Sequence, residues 1–148
     1  MDMQGQERIE APIETVWRAL NDENVLRASI PGCERLEKTS DTSMSATVVL
    51  RVGPIKASFD GTVELANLNP PHSYTIQGEG KGGIAGFAKG GADVSLAADG
   101  PDATILSYTV KAEVGGKIAQ LGSRLIESTS KKLAGEFFST FNRTVSAA

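Results

Sequence analysis

The sequence predicts an α+β fold in which a curved antiparallel sheet of about seven strands wraps around a long C-terminal helix, with two short helices after the first strand. Three observations support this. The middle of the 148-residue chain alternates apolar and polar residues with a period of two. Two short amphipathic segments precede this region, and a longer stretch of helical period follows it. Because domains commonly contain roughly 100 to 200 residues, residues 1–148 are expected to form one domain.

The N-terminal part predicts one strand and two helices. A strand is expected over residues 2–10, and a helix begins near Pro12, a residue that favours the first helical position. Its apolar residues recur at i, i+3, i+4 and i+7, namely Ile13, Val16, Trp17 and Leu20. A second helix over residues 23–28 ends before Pro31-Gly32, because Pro and Gly there favour a turn.

The central part predicts paired strands. Residues 44–52 place Met44 and Val48 on one face, and the alternation resumes in residues 55–65 after a turn at Gly53-Pro54. Further strands are expected over residues 73–79, 92–98 and 103–114. The turns between them contain Pro, Asp and Gly, which are typical turn residues.

Residues 117–145 predict one helix, whose apolar side is interrupted halfway by small residues. Small residues also dominate the interior positions of the predicted strands. The small interior residues include Ala46, Ala57, Gly61, Gly78, Ala112 and Gly122. Such an interior has two explanations: the helix approaches the sheet closely, or a cavity remains that holds a small apolar ligand.

The predicted ligand site is the wall of that cavity, and no catalytic residue is expected. The wall residues, chosen mainly for size and inward orientation, are Trp17, Leu50, Phe59, Tyr74, Phe87, Tyr108, Leu121 and Leu125. A gate is expected where the glycine-rich residues 78–91 present Ile84 and Phe87, opposite the Pro31-Gly32 corner.

Composition excludes several classes of function. A net charge of −3 argues against a nucleic-acid partner, and a single Cys33 with a single His72 argues against a Cys/His metal site. Neither residue has the neighbours that a catalytic role requires. The Gly-x-Gly-x-x-Gly pattern at residues 78–83 lies between antiparallel strands, which is the wrong context for a dinucleotide. No covalently bound or metal cofactor is expected.

Charge is unevenly distributed. From Lys117 onward there are five basic and two acidic residues. Two explanations are open for Lys117, Arg124, Lys131 and Lys132: they form a solvated helix face, or they contact anionic lipid or an acidic partner. The N-terminus has no secretory signal pattern and no long apolar run occurs. A cytoplasmic protein is expected, with a peripheral position at the inner face of the cytoplasmic membrane as an option.

The element order and the segment Ala11-Pro12-Ile13-Glu14-Thr15-Val16-Trp17 resemble the START-like or SRPBCC superfamily of helix-grip, ligand-binding domains. Three further segments resemble the CoxG family of carbon monoxide dehydrogenase subunits: Ile30-Pro31-Gly32-Cys33-Glu34, Val52-Gly53-Pro54-Ile55-Lys56 with Phe59 and Gly61, and residues 114–122. The resemblance extends over about residues 3–141.

This resemblance implies a non-catalytic accessory protein of a molybdenum hydroxylase of the carbon monoxide dehydrogenase kind. Such a protein binds a lipophilic molecule, for example a quinone, and aids membrane recruitment or electron transfer. Some members carry an apolar C-terminal anchor, whereas this sequence ends at Ala148, which favours a soluble carrier or peripheral contact. Two alternatives stay open: a small enzyme of the polyketide cyclase or dehydratase type, and a ligand-free interaction module.

Overall fold

A computed structural model describes residues 1–146 and confirms the predicted fold class: a curved seven-stranded antiparallel sheet packs against a long C-terminal helix. Two short helices follow the first strand, as expected. The strands are β1 (Asp2–Ile9), β2 (Cys33–Lys38), β3 (Ser43–Val52), β4 (Ile55–Asn69), β5 (Ser73–Lys81), β6 (Phe87–Ala98) and β7 (Thr104–Gly115).

The strands are arranged in the order β1-β7-β6-β5-β4-β3-β2, so β1 and β2 form the two edges of the sheet. Each strand from β2 to β7 pairs with the next one along the chain, which is the simplest antiparallel connection. Strand β1 pairs with β7 from Asp2 opposite Lys111 to Ile9 opposite Thr104. The two short helices therefore carry the chain from one edge to the other.

These helices are α1 (Ile13–Leu20) and α2 (Glu23–Ser29). Helix α2 begins where the Asp22 side chain accepts hydrogen bonds from the backbone N–H groups of Asn24 and Val25, at 2.8 and 3.3 Å. Helix α1 buries Val16, Ala19 and Leu20 against the sheet side of the molecule, which follows from its apolar stripe. Both helices thus close one end of the interior.

The C-terminal helix begins later than the sequence predicted. Residues Lys117–Leu121 form a 3-10 segment, and α3 spans Ser123–Ser146. Gly122 separates them with a φ of 95°, a left-handed conformation that a right-handed helix cannot contain. The expectation of one uninterrupted helix over 117–145 was therefore wrong at its first turns. No helix within residues 1–146 is long and apolar enough to cross a membrane.

The glycine-rich stretch contains more strand than predicted. Most of residues 78–91 belongs to β5 and β6, and the loop between these strands contains only residues 82–86, with a 3-10 turn at Gly83–Ala85. Gly78 pairs with Gly90 and Gly80 pairs with Ala88 in a continuous ladder. Backbone pairing to strands on both sides thus overrides the weak strand propensity of glycine.

The core consists of two apolar clusters at opposite ends of the interior. The large cluster joins α1, α2 and the C-terminal half of α3 to the sheet, and its most buried side chains include Ile9, Val16, Leu106 and Phe141. The small cluster contains three buried residues, Phe59, Ala85 and Ile118, with partly buried neighbours from β3, β4 and β7. The region between the two clusters positions the candidate site.

Candidate functional site

The middle of the inner sheet face carries glycine and alanine at several adjacent positions. One row across the strands runs through Ala46, Gly61, Gly80 and Ala88, as the pairing register shows. The next row runs through Gly78, Gly90 and Ala112. Because alternate residues of a strand share a face, both rows point toward the side that α3 covers.

Helix α3 does not fill the space above these rows. A Cβ atom built on Gly80 meets a single heavy atom within 4 Å, the Cβ of Phe59 at 3.9 Å. A Cβ atom built on Gly78 meets only Thr62 O at 3.5 Å and Val63 Cγ2 at 3.8 Å, both on the neighbouring strand. The sequence left open whether the helix approaches closely, and at these two glycines it does not. An unfilled region, called the interior space below, lies between the sheet and α3.

The walls of the interior space are apolar side chains that remain only partly buried. On the sheet, such residues are Val48, Val63, Ile76, Ala92 and Val110. On α3, Phe141 and Val145 are buried, whereas Leu125 and Leu133 are half-buried. Apolar side chains at inward positions would be fully buried in a close-packed core, so their exposure means that solvent-sized molecules reach this region.

Three of the predicted wall residues lie toward the large cluster. Trp17 packs edge-on against Tyr74, with ring centroids 5.3 Å apart, and Tyr74 is buried in that cluster. Tyr108 stacks on Phe138 of α3 at 5.4 Å between centroids. Offset or edge-on aromatic pairs of this kind add to the stability that burial alone provides. These packed rings therefore form the end of the interior space that lies next to the large cluster.

Four other predicted wall residues lie toward the small cluster. Phe59 belongs to that cluster and Leu50 packs against it. Leu121 and Leu125 face the turn between β3 and β4, where a Cβ on Gly53 would lie 3.8 Å from Leu121 Cδ1 and 2.8 Å from Leu125 Cδ2. The 3-10 segment and the first turn of α3 therefore pack against the β3–β4 hairpin.

The structure does not bring Phe87 to the interior space. Phe87 pairs with Lys81 and Gly115 at outward-facing positions, and its ring covers Gly115 on the outer face of the sheet. The predicted gate partner, the Pro31-Gly32 corner, is fixed to β3, because the Gly32 carbonyl accepts a hydrogen bond from Val49 N–H at 2.8 Å. Of the two apolar side chains expected at the gate, Ile84 is 87% exposed and Phe87 is half-buried.

The sequence analysis missed several residues that line the space. It selected wall residues for their size, whereas the structure adds Gly80, Ala88, Val48, Val63 and Ile76. The alternation of residues in β3 to β6 contains the signal that could have found them. Combining that alternation with hairpin registers places all five on the inner face.

Two phenols, Tyr74 and Tyr108, lie at inward positions and retain their protons at neutral pH, and the Glu7 carboxylate lies at an inward position of β1 beside Tyr108. Burial raises the pKa of the Tyr74 hydroxyl far above its usual value. Burial also raises the pKa of Tyr108, and the nearby Glu7 carboxylate adds to this effect. Both side chains can donate a hydrogen bond at neutral pH, and neither is suited to act as a base. Burial raises the pKa of the Cys33 thiol as well, which makes it a poor nucleophile.

Two further grooves lie on the outer face of the sheet, with volumes of about 810 and 820 Å³. Many of the residues that line them are polar, and Thr75, Asp93 and Thr109 line both grooves. Asp93 accepts a hydrogen bond from the Thr75 hydroxyl at 2.8 Å. These surfaces are wide and solvated, and they lie on the opposite face from the interior space.

Comparison with known proteins gives one family match. The profile of the CoxG family of carbon monoxide dehydrogenase subunits matches residues 5–146. No curated protein matches the sequence.

Solved structures share the fold over nearly the whole chain. A conserved protein from Geobacillus kaustophilus is 28% identical, with a TM-score of 0.93, and the match covers 99% of this chain and 96% of that one. A START superfamily protein from Mycobacterium smegmatis is 16% identical, with a TM-score of 0.66, covering 99% and 94%. The ZhuI aromatase/cyclase from Streptomyces sp. R1128 is 10% identical, with a TM-score of 0.71, covering 98% and 93%. The last two likenesses concern the fold alone.

Proposed function

The chain belongs to the CoxG family of carbon monoxide dehydrogenase subunits, and from that premise we propose that it is a non-catalytic accessory protein that binds a small hydrophobic molecule in its interior space. The supporting observation is that a Cβ atom on Gly78 or Gly80, at the middle of the inner face, would meet no atom of α3 within 4 Å. In a close-packed interior, apolar residues on an inward face are fully buried, whereas here they are partly exposed. A ligand that fills the space would bury them.

The chemistry of the walls favours an apolar ligand with a polar end. Each buried CH₂ group contributes about 0.8 kcal/mol, so an isoprenoid or alkyl chain along the glycine rows gains substantial affinity. At the large-cluster end, the protonated Tyr74 hydroxyl is suited to donate a hydrogen bond to a carbonyl oxygen. A quinone combines these two features, and we assign it as the ligand class.

The partner follows from the family. Its name associates its members with carbon monoxide dehydrogenase, and the proposed partner of this chain is a molybdenum hydroxylase of that kind. A protein that carries a quinone beside such an enzyme would aid its electron transfer or its recruitment to a membrane. A peripheral contact with an anionic membrane belongs to this proposal.

A second candidate is an enzyme of the cyclase type, because the ZhuI aromatase/cyclase shares the fold. Fold likeness does not determine function, and acid/base chemistry requires a group that accepts a proton near neutral pH. The raised pKa values of Tyr74 and Tyr108 favour the proton-donating role of both phenols. Neither phenol would therefore supply the proton acceptor that a cyclase requires.

The proposal is tested by identifying what the protein carries. The chain is purified without detergent and extracted with organic solvent, and the extract is analysed by mass spectrometry and ultraviolet spectroscopy. The stripped protein is then titrated with decylubiquinone while the fluorescence of Trp17, the single tryptophan of the chain, is recorded. A stoichiometric quinone in the extract, or saturable quenching in the titration, is the expected result.

A protein that yields no extractable lipid and shows no saturable quenching contradicts the proposal. In that case the ligand-free interaction module becomes the better explanation, and binding to the hydroxylase is measured directly. A matched pair of variants separates specific binding from adsorption. Gly80→Leu fills the interior space, whereas Glu79→Leu places the same side chain on the outer face of the same strand. Only the first should reduce quenching.

A further inference from the structure

Charged residues are distributed unevenly between the turns at the two ends of the sheet. One end is formed by residues 51–56, 81–87 and 115–124, which are called the basic end below. These segments contain five of the fifteen Lys and Arg residues and none of the eighteen Asp and Glu residues. The hairpin turns at the opposite end, residues 39–42, 70–72 and 99–103, contain three acidic residues and no Lys or Arg. The chain is acidic overall, so its basic end stands out.

Packing holds the three segments of the basic end together. The small cluster joins Val52 and Ile55 of the hairpin to Ala85 of the β5–β6 loop and to Ile118 of the 3-10 segment. Gly86 and Gly116 approach each other so closely that a Cβ on Gly116 would lie 2.4 Å from Gly86 Cα. The three segments that carry the basic residues are therefore held next to one another at one end of the sheet.

Two cations of this end lie directly opposite each other on neighbouring strands. Arg51 of β3 pairs in register with Lys56 of β4, and both side chains are exposed. Like charges at opposed positions destabilise a sheet. Within residues 1–146, neither Arg51 nor Lys56 takes part in an ion pair, and the same holds for Lys117 and Arg124. The arrangement leaves four cations available to an external anion.

An exposed apolar side chain projects from the same surface. Ile84 lies in the 3-10 turn Gly83–Ala85 and is 87% exposed, while its neighbour Ala85 is buried in the small cluster. Ala85 thus anchors the loop and holds Ile84 outward. The other large hydrophobic residue with notable exposure, Leu68, is 43% exposed and lies near the opposite end of β4. Ile84 is the most exposed large apolar side chain of the described part of the molecule.

We propose that the basic end is the surface through which the protein docks on an anionic lipid bilayer, with Ile84 inserted among the headgroups and Arg51, Lys56, Lys117 and Arg124 contacting lipid phosphates. Clustered cations around an exposed apolar residue match both components of a bilayer surface, whereas an acidic protein surface would match the cations alone. This inference rests on the proposed function insofar as that function includes contact with a membrane. It assigns the contact to this end and not to Lys131 and Lys132 of α3.

Co-sedimentation with vesicles tests the assignment. Full-length protein is mixed with phosphatidylcholine vesicles that contain either no anionic lipid or about 30 mol% phosphatidylglycerol. The second composition gives the vesicles a negative surface potential. We expect binding to the anionic vesicles that weakens with added salt. Arg51→Gln combined with Lys56→Gln should weaken it on the order of tenfold, since each cation contributes near the surface. Ile84→Ser should weaken it several-fold.

Matched controls make the outcome specific. Lys131→Gln combined with Lys132→Gln removes the same charge from α3, and Leu68→Ser removes an exposed apolar residue elsewhere; both should bind like the unmodified protein. Equal losses in the control variants overturn the assignment. An absence of vesicle binding also overturns the assignment. If the protein then binds polyglutamate, the result indicates an acidic protein partner for the basic end. The quinone titration is repeated on every variant. Loss of vesicle binding and loss of quinone binding are therefore measured independently, and each proposal can fail without the other.

Discussion

The substitution Gly80→Leu tests the interior space most directly. Gly80 lies in the row of small residues on the inner face, and a Cβ there meets a single atom, Phe59 Cβ at 3.9 Å. Glycine in a strand is unfavourable by about 0.5–1 kcal/mol relative to alanine. Burying a leucine side chain adds about 1.5–3 kcal/mol when space exists for it. Ordering the leucine side chain costs about 0.5–1 kcal/mol, so the variant is expected to gain roughly 1–3 kcal/mol in free energy of unfolding.

The same substitution should weaken ligand binding. Displacing three or four methylene groups of a ligand from the space costs about 3 kcal/mol, which corresponds to roughly a hundredfold change in dissociation constant. Thermal unfolding followed by circular dichroism should show a midpoint raised by roughly 3–9 °C, since each kcal/mol corresponds to about 3 °C in a chain of this size. Quinone titration of the same sample should show the loss of affinity.

The sign of the stability change decides between the two explanations of the small residues. If α3 packed closely on the glycine rows, the added side chain would overpack the core and lower stability by about 1–3 kcal/mol. A lowered midpoint would therefore refute the existence of the space. Glu79→Leu is the control, because Glu79 is exposed on the outer face and its pair with Lys81, at 3.7 Å, is a surface contact of little energetic weight. It should change stability by less than about 0.5 kcal/mol.

Three further outcomes are expected. Gly86→Ala should lower the free energy of unfolding, measured by chemical denaturation, by more than about 2 kcal/mol. Gly86 has a φ of 119°, and a Cβ there would lie 2.0 Å from Gly115 O. A neutral result would contradict the described loop. Thr104→Val should cost about 1–3 kcal/mol in the same measurement, because the buried Thr104 hydroxyl donates to Ala11 O at 2.8 Å and the carbonyl would lose its partner. Cys33 should react with iodoacetamide more slowly than free cysteine at pH 8, because burial raises its pKa; equal rates would show an accessible thiolate.

The sequence contained enough information for the fold and less for the site. Alternation in β3, β4 and β7 identified their inner faces correctly, because a period of two is a direct consequence of strand geometry. The break at Gly122 and the extension of β6 to Phe87 could not be predicted in this way. Both depend on backbone conformations and pairings that glycine permits but does not specify. Phe87 was assigned to the cavity as an apolar tip of the glycine-rich stretch, whereas the register directs it outward.

The two clusters differ in how much structure they hold together, and this difference indicates where the interior can open. Among the described residues, the large cluster contains sixteen buried side chains from two helices, the end of α3 and several strands. The small cluster contains three, carried by a strand, a 3-10 turn and a 3-10 segment. Local opening requires the least free energy where few buried apolar contacts are lost.

The small cluster lies directly behind the basic end, which supplies Ala85 and Ile118, two of its three buried residues. Opening there would expose the interior space toward whatever surface the basic end contacts, while the large cluster stays intact. A lipophilic molecule that leaves a bilayer for this interior would then pass through an apolar opening without crossing water. The fold thus places its weakest packing, its exposed Ile84 and its unpaired cations at one end, which is where the proposed exchange of a hydrophobic ligand with a bilayer would take place.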